Sequence, residues 1–149
     1  MQPSPAARRK ARHYAMQALY QWKMSASALN VIEAEFYADN DMSKADTEYF
    51  RELLHSVPAR LEEVDNLYTQ YLEARDANEL DPVTQALLRM ATYELMARID
   101  VPYKVVINEA VSLAKKFGAT DSHKFVNGVL DKVAAQVREV EVRAARSPG

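Results

Sequence analysis

Four cations crowd into five residues near the start of the chain: Arg8, Arg9, Lys10 and Arg12. No acidic side chain occurs among the first twelve residues. A cluster of this kind neutralises a phosphate backbone and releases the counterions condensed on it. A solvated, charged terminus is the competing reading of the same side chains. A second cluster runs from Lys115 to Phe125, where Lys115, Lys116 and Lys124 surround Phe117 and Phe125 about Gly118. Single-stranded RNA is held by this combination, bases stacking on aromatic rings while Lys and Arg meet phosphates. Phe117 continues an apolar helical stripe and is expected in the core. Phe125 stands about 100° around the helix from Val126, where the next stripe begins. It is therefore the better candidate for an exposed stacking ring.

Other chemistries find no support. The sequence has no cysteine, which excludes a disulfide framework, a thiol nucleophile and a cysteine zinc site. His13, His55 and His123 share no metal-ligand spacing. Neither a phosphate-cradling glycine loop nor a nucleophile elbow is present. The carboxylates fall mostly on polar helix faces, where solvation explains them. No catalytic residue, metal ligand or cofactor is expected.

The net charge of −2 hides a strong asymmetry. Residues 31–52 carry seven acids against Lys44 and Arg51, and residues 61–81 carry seven against Arg75. Such asymmetry marks local electrostatic patches that the net value conceals, and solvation of ordinary surface helices is one reading of the acidic stretches. No apolar run approaches the roughly 20 residues that span a bilayer. The stretch after Arg8–Lys10 is interrupted by Arg12, His13, Gln17 and Gln21. It lacks the apolar core of a signal peptide, so a leaderless cytoplasmic protein is expected.

The elements that must carry these clusters are helical. Only three glycines occur in 149 residues, and nearly half the residues are hydrophobic. Helical spacing predicts a first helix from about Ala6 to Met24 and a second ending near Ala38. A third is expected from about Ala45 to Leu72, opened by a capping box at Ser43–Asp46 and kinked or split at Pro58. Asp81 and Pro82 start another helix, as N-cap and first helical residue. The next begins after Asp100 and Pro102 and is capped by Gly118. A final helix from Asp121 or Ser122 lines one face with Val126, Val129, Leu130, Val133, Val137 and Val140. Residues 143–149 are expected to fray. The sum is one all-α domain of six or seven helices. It comprises two packed sub-bundles, about 6–75 and about 82–142, divided by the segment Glu73–Asp81.

The two clusters lie within a wider pattern. Ala7-Arg8-Arg9-Lys10-Ala11-Arg12, then Ala15-x-Gln17-Ala18-Leu19-Tyr20, resembles the opening of the NusB family. The likeness returns at Tyr49-Phe50-Arg51, Leu53-Leu54, Leu88-Arg89 and Tyr93-Glu94-Leu95. It is strongest over Val101–Val105, Ile107–Ala110, Phe117-Gly118 and Ser122–Lys132. The resemblance implies the all-α fold of that family. It also implies transcription antitermination at ribosomal RNA operons, within a complex on RNA polymerase. The implied ligands are boxA RNA and NusE, a small-subunit ribosomal protein. By carry-over, Arg8, Arg9, Arg12, Phe117, Gly118, Asp121, Lys124 and Phe125 face RNA, and Tyr20 and Glu79 face NusE. Self-association in the absence of the partner is a further implied state. The stretch from Glu73 to Gln85 departs from the family pattern, with Asp81, Pro82 and Thr84 where charged residues are common. NusB-like domains also occur fused to ribosomal RNA methyltransferases. That alternative finds no glycine-rich cofactor loop in this sequence. A helical partner protein without RNA affinity is the remaining reading.

Overall fold

The computed structural model describes residues 4–73 and 77–147. Among them are eight α-helices, one 3₁₀ turn and no strand. The helices are α1 (Pro5–Ser25), α2 (Leu29–Asp39), α3 (Thr47–Ala59), α4 (Leu61–Thr69), α5 (Pro82–Ala97), α6 (Tyr103–Phe117), α7 (Ser122–Val137) and α8 (Glu139–Arg146). The 3₁₀ turn spans Ala77–Glu79. Contacts divide the chain into two compact units, Met1–Arg60 and Leu61–Gly149.

In the first unit α1 packs on α3 and α2. Ala11, Ala15 and Ala18 are fully buried, and their small side chains let α3 come close. Met16, Leu19, Ile32, Phe50, Leu53, Leu54 and Val57 fill the remaining space, each at most 2 % exposed. Burying one such side chain contributes about 1.5–3 kcal/mol. Ser4 caps α1 by accepting from the Ala7 N–H at 3.0 Å, with Pro5 at the first turn. The expected capping box is not formed. Asp46 is itself the N-cap of α3 and accepts from the Tyr49 N–H at 3.1 Å. Ser43 instead donates its N–H to Asp41 Oδ1 in the preceding turn. Pro58 does divide the long expected helix: α3 ends at Ala59 and α4 starts at Leu61.

The second unit is built around α5. Every residue from Thr84 to Leu95 is buried, because α4, α6 and α7 all pack on this helix. Two of its polar side chains, Arg89 and Gln85, are paired with α4, whereas the buried hydroxyl of Thr92 has no hydrogen-bond partner. Arg89 forms a two-point ion pair with Asp65 of α4, both bonds at 3.0 Å. Gln85 donates to Tyr68 Oη at 3.5 Å. Burial pushes the Tyr68 phenol up to about 12. These contacts bind α4 to α5, so the division falls after Arg60 and not near the segment 73–81. Residues 74–76 of that segment lie outside the described residues.

Arg138, between α7 and α8, is 5 % exposed. Its guanidinium donates to the carbonyls of Leu95 (2.8 Å), Val101 (3.0 Å), Glu94 (3.3 Å) and Arg98 (2.8 Å), and to Glu141 Oε1 (2.6 Å). The last carbonyls of a helix have no partner within it, and Arg138 supplies one at the end of α5. Glu141 Oε2 accepts from the Tyr103 N–H at 2.9 Å, which ties down the start of α6. The break at Arg138 corrects two expectations. Val140 leaves the apolar stripe and is 77 % exposed, while Val142 of α8 is buried in its place. The chain therefore stays helical to Arg146 instead of fraying from Arg143.

Partial burial opposes ionisation of Glu141, but the Tyr103 N–H and the Arg138 guanidinium overcome it and lower its pKa. The stability it contributes is complete above the ordinary glutamate range and is lost as pH falls through the lowered value. Urea unfolding of Glu141→Gln should therefore differ from wild type at pH 7 and converge with it in acid. Arg138→Ala, which leaves several acceptors unpaired, should cost about 3–5 kcal/mol in the same measurement.

Candidate nucleic-acid interface

The basic cluster of the first unit occupies the opening turns of α1, whose first turn holds no acidic residue. Cations at this end oppose the helix dipole, at a cost of up to about 1 kcal/mol each. Asp46 and Tyr49 offset that cost. The Nε of Arg8 lies 3.4 Å from Asp46 Oδ2, and its Cζ sits 4.4 Å from the centroid of the Tyr49 ring. Arg12 lies 5.4 Å from the same ring and is only 3 % exposed. Its expected direct contact with RNA is therefore not supported, because a buried guanidinium cannot meet a phosphate without moving. Arg9 and Lys10 are exposed and Arg8 is half-buried.

In the second unit α6 ends at Phe117 and α7 begins at Ser122. Lys115 and Lys116 lie in the last turn of α6, where the dipole favours cations. Gly118 caps α6, its N–H donating to Ala114 O at 2.8 Å. Its backbone is extended and not left-handed, so its role is steric. A Cβ there would stand 2.2 Å from Ser122 Oγ and 2.7 Å from Ala114 O. Asp121 takes the left-handed conformation, at φ 64°, and turns the chain into α7. Lys124 Nζ lies 3.6 Å from its carboxylate.

Phe117 is not a core residue. It is 37 % exposed, with Lys116 Nζ 5.3 Å from its ring centroid. Phe125 is half-buried and lines an open cleft of about 240 Å³ with Glu79, Asp81, Thr84, Thr120 and Asp121. Both carboxylate oxygens of Asp81 are engaged by Thr84, with the N–H at 2.9 Å and the hydroxyl at 2.7 Å. Glu79 and Asp121 are exposed. Glu79, read from sequence as partner-facing, thus shares a cleft with Asp121 and Phe125, read as RNA-facing. Tyr20, the other partner-facing residue, is 38 % exposed on α1 of the first unit.

Two features escaped sequence reasoning. Asp46 and Tyr49 are more than thirty residues from Arg8, and no local pattern links them. The Asp81 cap was legible, but not that the open cleft beside it is lined by the turn at 119–122. Among the described residues, no three His, Cys, Asp or Glu side chains converge on a possible metal position. No helix among them is long and apolar enough to cross a membrane.

An all-α fold with cationic helix ends and an aromatic cleft is that of a helical binding protein. The model of the NusB family matches residues 9–135. The transcription antitermination protein NusB of Teredinibacter turnerae is 63 % identical over 147 residues, covering 99 % of this chain and all of that protein. The protein of the same name from Pseudomonas fluorescens is 57 % identical over 143 residues, covering 95 % of this chain and 86 % of its own length. Among solved structures, T. maritima NusB superposes with a TM-score of 0.80 at 30 % identity, covering 95 % of this chain and 99 % of that one. A chain from a crystal structure of a plectonemic RNA supercoil superposes at 0.72 with 25 % identity, covering 86 % and 94 %. The chain belongs to the NusB family of transcription antitermination proteins, and is a regulatory protein and not an enzyme.

The two helix-associated glycines should respond oppositely to alanine. Gly118→Ala should destabilise by about 1–3 kcal/mol, since the backbone carbonyl of Ala114 cannot give way easily. Gly128, inside α7 with open space around it, should gain about 0.5–1 kcal/mol as alanine. Urea midpoints of the two variants check this.

Proposed function

We propose that this chain binds boxA-type single-stranded RNA of ribosomal RNA transcripts, jointly with the ribosomal protein NusE, in an antitermination complex on RNA polymerase in the cytoplasm. The observation that carries the reading is the cleft at Phe125. A ring beside carboxylates suits a nucleobase: the ring stacks on its face, and Glu79 or Asp121 accepts from an exocyclic amino group. Carboxylates would repel a phosphate, so the flanking Lys115, Lys116 and Lys124 take the backbone. Exposed Phe117 offers a second stacking ring beside Lys116, and Gly118 keeps the turn tight.

Arg8, Arg9 and Lys10 supply further phosphate contacts from the first unit, and Arg12 supports Arg8 from below the surface. Tyr20, with exposed Met24 one turn along α1, supplies an apolar face for the protein partner. Family membership supports both ligands, and the RNA-containing crystal of a structural relative supports the first. Without the partner, self-association through the RNA-facing surface is the proposed alternative state.

RNA titrations with NusE present test this reading. The logarithm of the affinity should fall with the logarithm of salt by about 0.7 per phosphate contacted. Arg8→Ala with Arg9→Ala should flatten that slope, and an unchanged slope would remove the first cluster from the interface. Phe125→Ala should weaken binding by about 1–3 kcal/mol if a base stacks there. Retained affinity in a folded Phe125→Ala protein contradicts the cleft as a base site.

A further inference from the structure

The start of α1 holds an arrangement that charge alone does not explain. Arg8 and Arg12 are like charges one helical turn apart, which repel each other. Both guanidiniums nevertheless lie over one ring, that of Tyr49, at 4.4 and 5.4 Å from its centroid. Tyr49 is 2 % exposed, so packing fixes the ring. Asp46, whose side chain is 7 % exposed, faces the Arg8 Nε with Oδ2 at 3.4 Å. Asp46 is fixed in turn. Its Oδ1 caps α3 through the Tyr49 N–H, and its own N–H donates to Ala7 O at 3.0 Å. One residue of the α2–α3 turn thus bonds the first turn of α1, starts α3 and faces Arg8.

We propose that Asp46 and Tyr49 are positioning residues for RNA binding: they order the Arg8 side chain before a phosphate arrives. Ordering a long, rotamer-rich side chain weakens association when it happens on binding. Here the ring and the carboxylate order it on folding. Neither residue touches RNA in this arrangement. The inference rests on the reading that Arg8 meets an RNA phosphate. A different role for Asp46, as a counterion that a phosphate must displace, predicts the opposite sign.

The test measures affinity of the full chain, with NusE, for a boxA oligonucleotide. Tyr49→Phe, Tyr49→Leu and Asp46→Asn are each made with Arg8 intact and with Arg8→Ala, and thermal unfolding is followed in parallel. Tyr49→Phe should bind as wild type, because a ring face remains. Tyr49→Leu should bind about fivefold more weakly. Asp46→Asn, which keeps an N-cap side chain, should bind about threefold more weakly through loss of the charged partner. Both losses should vanish when Arg8 is already alanine. If Tyr49→Leu fails to fold, Asp46→Asn carries the test alone. Losses that persist in full without Arg8 overturn the positioning role while leaving Arg8 as an RNA contact. Tighter binding by Asp46→Asn also overturns it and makes Asp46 a competitor. If Arg8→Ala alone leaves affinity unchanged, the phosphate reading of Arg8 fails, and the proposal fails with it.

Discussion

The buried guanidinium of Arg138 is the constraint on which the second unit depends. It closes the carbonyl end of α5 and the turn after it, and through Glu141 it reaches the first N–H of α6. The same residue terminates α7. The start of α6 and the end of α7 are therefore tied at one point. Both helices run from there to the opposite end of the α6–α7 hairpin, about 22 Å away at 1.5 Å per residue. That far end is the turn at Gly118, where the candidate cleft opens. A buried charge is costly unless every donor is used, and Arg138 meets that condition with four backbone carbonyls and the Glu141 carboxylate.

The two basic clusters obey different electrostatics. Lys115 and Lys116 sit where the dipole of α6 favours them, so that patch costs little to maintain. Arg8, Arg9 and Lys10 sit where the dipole of α1 opposes them, and Asp46 and Tyr49 compensate at Arg8. The cleft between the start of α5 and the turn into α7 adds something the cations alone lack, namely acceptors beside a ring. Cations supply affinity that is insensitive to base identity, whereas acceptors beside a ring discriminate among bases. The proposed recognition of one RNA element would draw on both.

Much of the fold was legible because helical periodicity and caps are local. The Asp81–Pro82 start, the break at Pro58 and the end of α6 at Gly118 follow from the residues themselves. What the sequence concealed is long-range. Arg138 reads as one more charge in a valine-rich helix, yet it ends that helix and exposes Val140. The stripe Ala86–Leu95 marks one buried face of α5, but three neighbours bury the other faces too. The N-cap Asp46 reads as a capping-box partner until its approach to Arg8 is seen. The clusters were legible as chemistry, but which members reach the surface was not. Arg12 lies under the surface because α3 brings Tyr49 against α1, whereas Phe117, the last residue of α6, is exposed although it continues the buried stripe. The proposed ligands come from family resemblance, because no spacing of residues in one chain contains them.

The most direct test of the central claim, that the Gly118 turn and the start of α1 receive RNA, is a map of backbone amide shifts. The isotope-labelled chain, complexed with unlabelled NusE, would be titrated with a boxA oligonucleotide and with a scrambled one. BoxA-specific shifts should concentrate at Glu79, at residues 117–125 and at residues 8–10, with α4 and α8 little affected. Shifts confined to α4 and α8, or identical for the two oligonucleotides, would contradict that claim.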